Sequence, residues 1–284
     1  MPVHLEQLAL SVARCDQVDA ARQDGGTHPC HKIVSSQDGF EGPFQVPEAW
    51  AGNLESARII FLSSNPAISA GNAQSKWRSK RFAEKYPTAD WSDSEIADFM
   101  INRFNPEHGW VKDEKHLKVD SASPDGQPMW GSPEPYWKWI KKQTTSLLGE
   151  GTVWSDAAVM TEVVHCKSNG EDGVSEATLR CSTKHMERIL SATSAGLVVI
   201  VGSKAANAFK ATHAAALRDK PEFAKTGSNG LPDARHNVFP LEIGGHSRLV
   251  VFIKHPNARG QVTTLENQYP GAIEEIRAAA RSKR

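Results

Sequence analysis

Residues 59–69 read I-I-F-L-S-S-N-P-A-I-S, an apolar run that stops abruptly in small polar residues and an Asn-Pro pair. Ile59 to Leu62 has strand length and β-branched character, and it reads as a buried strand. In an open α/β sheet, ligands bind beyond the carboxyl ends of the strands, so Ser63, Ser64 and Asn65 are the first candidates for chemistry. Pro66 fixes its own backbone and pushes Asn65 towards an extended conformation, which would hold that carboxamide in one orientation. Asn-Pro after a strand is also an ordinary turn signal, so its meaning depends on partners elsewhere in the chain.

Working outward, the same strand-to-polar pattern recurs. With Arg58–Leu62 as the first strand, Ala157–Val164, Leu197–Val201 and Leu249–Ile253 read as three more. Helical spacing runs over His4–Val18, Tyr136–Leu148, Ser175–Leu190, Ala205–Leu217 and Ala272–Arg281, whereas Lys220–Gly245 reads as loop. Alternating strands and helices predict an α/β fold. The expected architecture is three-layer α/β/α, with a central four-stranded, mostly parallel sheet, helices on both faces and a long insertion. Residues 1–284 are expected to form a single domain in which 70–135 serve as a cap or lid.

The 284 residues carry a formal net charge of zero, so no global field announces a polyanionic partner. A local patch exists: Lys76, Arg78, Lys80, Arg81 and Lys85 interleave with Trp77 and Phe82, a pattern that suits phosphate neutralisation with stacking. Asp90, Asp93, Glu95 and Asp98 then reverse the sign, and a solvated pair of amphipathic helices explains both runs equally well. Trp77, Trp91, Trp110 and Trp130 sit in polar surroundings where an indole often serves as a contact platform. Met1–Leu10 lacks the layout of a signal peptide, and no apolar run approaches the ~20 residues of a membrane span. A soluble, cytoplasmic monomer is expected. Four cysteines are too few for a disulfide scaffold of this size, which argues for reduced thiols.

Gly202-Ser203-Lys204 follows the strand Leu197–Val201 and opens a helix, so its backbone N–H groups offer a phosphate site. Three other strand ends carry distinctive residues: Ser63-Ser64-Asn65-Pro66-Ala67, Thr161-Glu162-Val163-Val164-His165-Cys166 and His255-Pro256-Asn257-Ala258-Arg259. In this order and at this separation they resemble the signature motifs of the uracil-DNA glycosylase superfamily. The first looks like its Gly-x-Asn-Pro-Gly motif, with Ser63 and Ala67 in place of the glycines, and the last like its His-Pro-Ser motif, with Asn257 in place of Ser. Leu197–Phe209 is similar to the strand–Leu-Gly–helix segment that lies between them.

The resemblance implies a DNA partner, a flipped nucleotide and hydrolysis of its N-glycosidic bond, with no nucleotide cofactor. On that footing Asn65 orients the water, and a neutral His255 donates to the departing base. Ser64, Glu162 and Tyr136 would contact the base. Gly202, Ser203, Lys204, Lys254, Asn257, Arg259, Lys76 and Arg78 would hold the DNA. Cys15, Cys166 and Cys181 fall where iron–sulfur-containing members place cysteines. The usual Cys-x-x-Cys is broken by Val18, and Cys30 is the candidate fourth ligand of a 4Fe–4S cluster. Four free thiols or a zinc site are the other readings of the same residues.

Glu162 stands where those members have Asn or Ala. A carboxylate is poorly matched to uracil, since it faces the lone pairs of a neighbouring carbonyl. Cytosine instead presents an amine, and Glu accepting from it is an established pairing. The reading that follows is a glycosylase for a modified cytosine, such as the glucosylated hydroxymethylcytosine of phage DNA, with a role in antiviral defence. Uracil or deaminated-base repair, with Glu162 merely salt-bridged, is one alternative. A DNA-binding module without catalysis is another.

Overall fold

Leu197–Val201 forms a strand because five consecutive, mostly β-branched residues gain most by turning inward on both faces of a sheet, and all five are buried. The computed structural model describes residues 3–40, 43–68, 82–120, 128–226, 232–256 and 264–282. In chain order its elements begin with α1 (Val3–Ala13), α2 (Asp16–Gln23), α3 (His31–Ser35), β1 (Ala51–Gly52), β2 (Ile59–Ser63) and β3 (Phe82–Glu84). Next come α4 (Asp93–Asn102), β4 (Val111–Lys112), β5 (Lys115–Asp120), β6 (Pro128–Gly131), α5 (Pro135–Leu148), α6 (Trp154–Ala157) and β7 (Ala158–Glu162). The chain closes with α7 (Val174–Ser191), β8 (Leu197–Val201), α8 (Gly202–Thr212), α9 (Ala234–Asn237), β9 (Val238–Ile243), β10 (His246–Ile253), α10 (Leu265–Gln268) and α11 (Ile273–Arg281).

Two compact units result. One comprises Met1–Ala51, Asn65–Glu134 and Val164–Arg180; the other comprises Gly52–Ser64, Pro135–Val163 and Cys181–Arg284.

The second unit is built on a mixed sheet of six strands in the order β1-β7-β2-β8-β10-β9, with helices on both faces. Its centre is the predicted set, β7, β2, β8 and β10, all mutually parallel. The expected total of four strands is corrected to six. β1 adds a two-residue edge, and β9 pairs antiparallel with β10 through the turn at Gly244 and Gly245, whose φ angles are 61° and 78°. The loop expected over Lys220–Gly245 thus contains α9 and β9. Pro240 within V-F-P-L-E-I hides the strand, because proline normally argues against a ladder position, yet it is tolerated at an edge. Arg248 of β10 is fully buried, and its Nη2 donates to the carbonyls of Leu190, in the last turn of α7, and Thr193, just beyond it. That guanidinium supplies a partner to a last-turn helix carbonyl, which has no intrahelical donor.

The first unit carries a smaller antiparallel sheet, β3-β5-β4, with β6 paired to β5. The acidic run begins α4: Ser92 caps it, Glu95 closes the capping box, and Asp93 and Glu95 lie at the positive end of the helix dipole. The acidic run thus lies in and just before a single helix, which packs against α1, whereas Lys76, Arg78, Lys80 and Arg81 of the basic run lie outside the described residues. Two of the tryptophans read as contact platforms are instead packing partners. Trp91 and Trp110 stack with centroids 5.6 Å apart, and Trp110 Nε1 donates to Asp98 Oδ2 at 3.0 Å. Trp130 remains exposed; Trp77 lies outside the described residues.

A chain of buried charges runs through this unit. Lys167 Nζ donates to Glu48 Oε2 at 3.1 Å, Glu48 Oε1 accepts from Arg103 Nη1 at 2.8 Å, and Arg103 Nη2 meets Glu84 Oε1 at 2.9 Å. His116 Nδ1 completes it at 2.6 Å from the same Glu84 oxygen. Burial opposes ionisation of Glu84, but Arg103 and His116 outweigh it and hold the carboxyl well below its ordinary range. The backbone of Glu48 is tied down as well, since its N–H donates to the His165 carbonyl and its own carbonyl accepts from His165 Nδ1 at 2.7 Å.

Burial keeps His165 neutral and pushes its pKa down to about 4, against a raising contribution from its bond to the Glu48 backbone. Between pH 6.5 and 4 the unfolded chain therefore takes up a proton that the folded chain refuses, so stability falls as the pH drops through that window. Urea unfolding at both ends of the window should differ by about 3 kcal/mol from this residue. His165→Asn, which keeps a donor for the Glu48 carbonyl but does not titrate, should remove that part of the slope.

Candidate functional site

Because β7, β2, β8 and β10 are parallel, their carboxyl ends open at one edge of the sheet, where such folds place their ligands. The register sets Ser63 opposite Glu162 and Val201 opposite Ile253. The residues that follow are Ser64, Gly202, Lys254 and His255. Five of the predicted site positions, Ser64, Glu162, Gly202, Lys254 and His255, thus share one sheet end. α5 supplies a sixth, Tyr136, whose ring lies nearly parallel to the His255 imidazole, with centroids 5.8 Å apart and 12° between planes. Trp139, one turn further along α5, lies 5.6 Å from the same ring and makes an edge contact with Phe61 of β2.

Glu162 is 1% exposed, a carboxylate drawn below the surface at the end of its strand. The Tyr136 hydroxyl is buried beside Ser63 and Glu162. Burial raises its ionisation above the ordinary phenol range, the Ser63 hydroxyl opposes that shift, and the Glu162 carboxylate adds to it. The phenol is therefore neutral at physiological pH.

Gly202 is the hinge of this edge. Its φ of +84° lies in the left-handed region, and an added Cβ would stand 3.2 Å from the Cβ of His255. Gly202→Ala should therefore cost about 1–2 kcal/mol in backbone strain and displace His255 as well. A lowered melting temperature, together with weaker activity than that strain alone would give, is the expected result. Val201 provides no side-chain cap for α8, whose first residues include exposed Ser203 and half-buried Lys204. Lys254 is half-buried next to His255.

Asn65 follows Ser64 directly and belongs to the other unit. Its Nδ2 donates to the Pro66 carbonyl at 3.0 Å and to Ser168 Oγ at 2.9 Å. Both amide hydrogens are thereby engaged, and Oδ1 is the atom left to act as an acceptor. Nothing in the sequence pointed to Ser168, or to the buried chain of charges before it. Glu48 and Arg103 sit as lone charges among apolar neighbours, which was the one available signal.

Cys15 and Cys30 stand at the N-caps of α2 and α3, Cys166 follows His165, and Cys181 lies on α7. Cys30 and Cys166 are buried, and Cys15 and Cys181 are half-buried. Among the described residues no group of three or more His, Cys, Asp or Glu side chains is arranged to hold a metal ion. Lys76, Arg78, Asn257 and Arg259 lie outside the described residues.

No protein-family model matches this chain, and a search of curated proteins returns no match to it.

Proposed function

We propose that the chain is a DNA glycosylase that extrudes a nucleotide and hydrolyses its N-glycosidic bond, acting on a cytosine with a ring substituent. The observation that carries this reading is the gathering of Ser64, Glu162, Gly202 and His255 at the carboxyl ends of parallel strands, with the imidazole held against Tyr136.

Cleavage places positive charge on the sugar and negative charge on the departing base. The electron pair of the C1′–N bond leaves with the base, a water oxygen bonds to C1′, and the water's proton is lost to solvent. His255 donating to a base oxygen stabilises the leaving anion, and Asn65 Oδ1 accepts from the water to aim its lone pair. Glu162 accepts from the exocyclic amine, which is what favours cytosine over uracil. The uncapped start of α8 and Lys254 are suited to the phosphates of the extruded nucleotide. The 4Fe–4S cluster that the resemblance implies is not part of the proposal, because Cys15, Cys30, Cys166 and Cys181 form no metal-binding group among the described residues.

The test is incubation with duplexes carrying uracil, hypoxanthine, cytosine, hydroxymethylcytosine or its glucosylated form, followed by alkaline cleavage of abasic sites. Cleavage confined to a modified cytosine, and lost in Glu162→Gln, is the expected result. Cleavage at uracil alone would overturn the substrate assignment and return the chain to base repair. Cleavage nowhere, with DNA still bound, would overturn the activity and leave a binding module.

A further inference from the structure

Ser168 is 1% exposed and is docked along its whole length on the loop that carries Asn65. Its N–H donates to the Pro66 carbonyl at 3.2 Å, its carbonyl accepts from Ile68 N–H at 3.3 Å, and the two segments form a parallel bridge at Ala67. The third rung is the side chain, where Oγ accepts from Asn65 Nδ2 at 2.9 Å. A carbonyl can only accept, so the atom facing Pro66 O must be the amide nitrogen, and Ser168 Oγ takes the second hydrogen of that nitrogen.

The residue before it is anchored in turn. The Lys167 carbonyl accepts from Gln37 Nε2 at 3.3 Å, and its ammonium, bonded to Glu48, lies 3.6 Å from the centroid of the Tyr86 ring. Gln37 is held on both sides by the backbone of Gln45. Ser168 therefore projects its hydroxyl from a buried polar frame with little freedom to follow Asn65 if the loop shifts.

We infer that Ser168 is the positioning residue for Asn65: by holding Nδ2, it fixes which way the carboxamide is turned and presents Oδ1 to the attacking water. A carboxamide turned the other way offers N–H groups, which would engage the water's lone pair instead of aiming it. This inference rests on the glycosylase reading for its use, but the hold itself does not.

Two readouts separate the inference from that reading. In protein labelled with ¹⁵N-asparagine, the Asn65 side-chain amide signal, identified by its loss in Asn65→Asp, should exchange slowly with solvent in the wild type. It should exchange faster in Ser168→Ala and stay slow in Ser168→Thr, which keeps the Oγ acceptor. On whichever base the wild type excises, the single-turnover rate should fall by about 10- to 100-fold in Ser168→Ala, with DNA affinity unchanged and most of the rate restored in Ser168→Thr. An unchanged amide signal in Ser168→Ala overturns the inference whether or not the rate falls. A changed signal with an unchanged rate overturns its catalytic part. A wild type that excises no base overturns the glycosylase reading, while the amide signal still decides whether Ser168 holds Asn65.

Discussion

Replacing Glu48 with leucine should lower the free energy of unfolding by about 3–5 kcal/mol, the usual effect of removing one member of a buried ionic group. Glu48 is the shared anion of the chain: one oxygen accepts from Arg103 at 2.8 Å and the other from Lys167 at 3.1 Å, with all three side chains 5% exposed or less. Taking two cations out of water is costly, and the loss of Glu48 leaves that cost with one carboxylate, Glu84, on the Arg103 side. Glu48→Gln keeps the shape and one acceptor oxygen and should cost less, which separates charge from packing. Urea unfolding at pH 7 measures both. A loss below about 1 kcal/mol for the leucine variant would mean that the cations relax to other partners or to water.

His255→Ala should reduce base excision by about 10²- to 10³-fold while leaving DNA binding in place, the size expected for one preorganised donor aimed at a developing anion. Two contacts argue for preorganisation rather than a mobile surface histidine: the parallel Tyr136 ring at 5.8 Å and the close approach of Gly202 to its Cβ. Single-turnover rates on an excess of enzyme isolate the chemical step, and gel-shift titration follows the binding. An undiminished rate would remove His255 from the mechanism and leave the departing base to another donor.

What the sequence revealed and what it concealed follow from one physical distinction. β2 and β8 were legible because a strand buried on both faces is uniformly apolar, and the residues after such strands fall at the ligand edge by topology. That is why Ser64 and Gly202 could be placed in advance, whereas Glu162 and His255, at the ends of β7 and β10, were named from the resemblance. The small sheet was not legible because its polarity is inverted. In K-H-L-K-V-D the buried positions of β5 are His116 and Lys118, satisfied by Glu84 and Glu134, whereas Leu117 and Val119 lie half-exposed. Alternation still marks the strand, but a reader looking for an apolar inward face assigns it to solvent. Ser168 was hidden for another reason. Its role depends on a bridge between residues about a hundred positions apart, and no local pattern encodes such a pairing.

The margins of the six-stranded sheet have a consequence for how copies of this chain meet one another. At one margin β1 is only two residues long, too short to template a partner strand. At the other, β9 carries Pro240, which has no N–H to offer an incoming backbone. A sheet finished in this way resists edge-to-edge addition, so crowding at high concentration gives neither margin a long row of free donors and acceptors on which to build fibrils or runaway strand exchange.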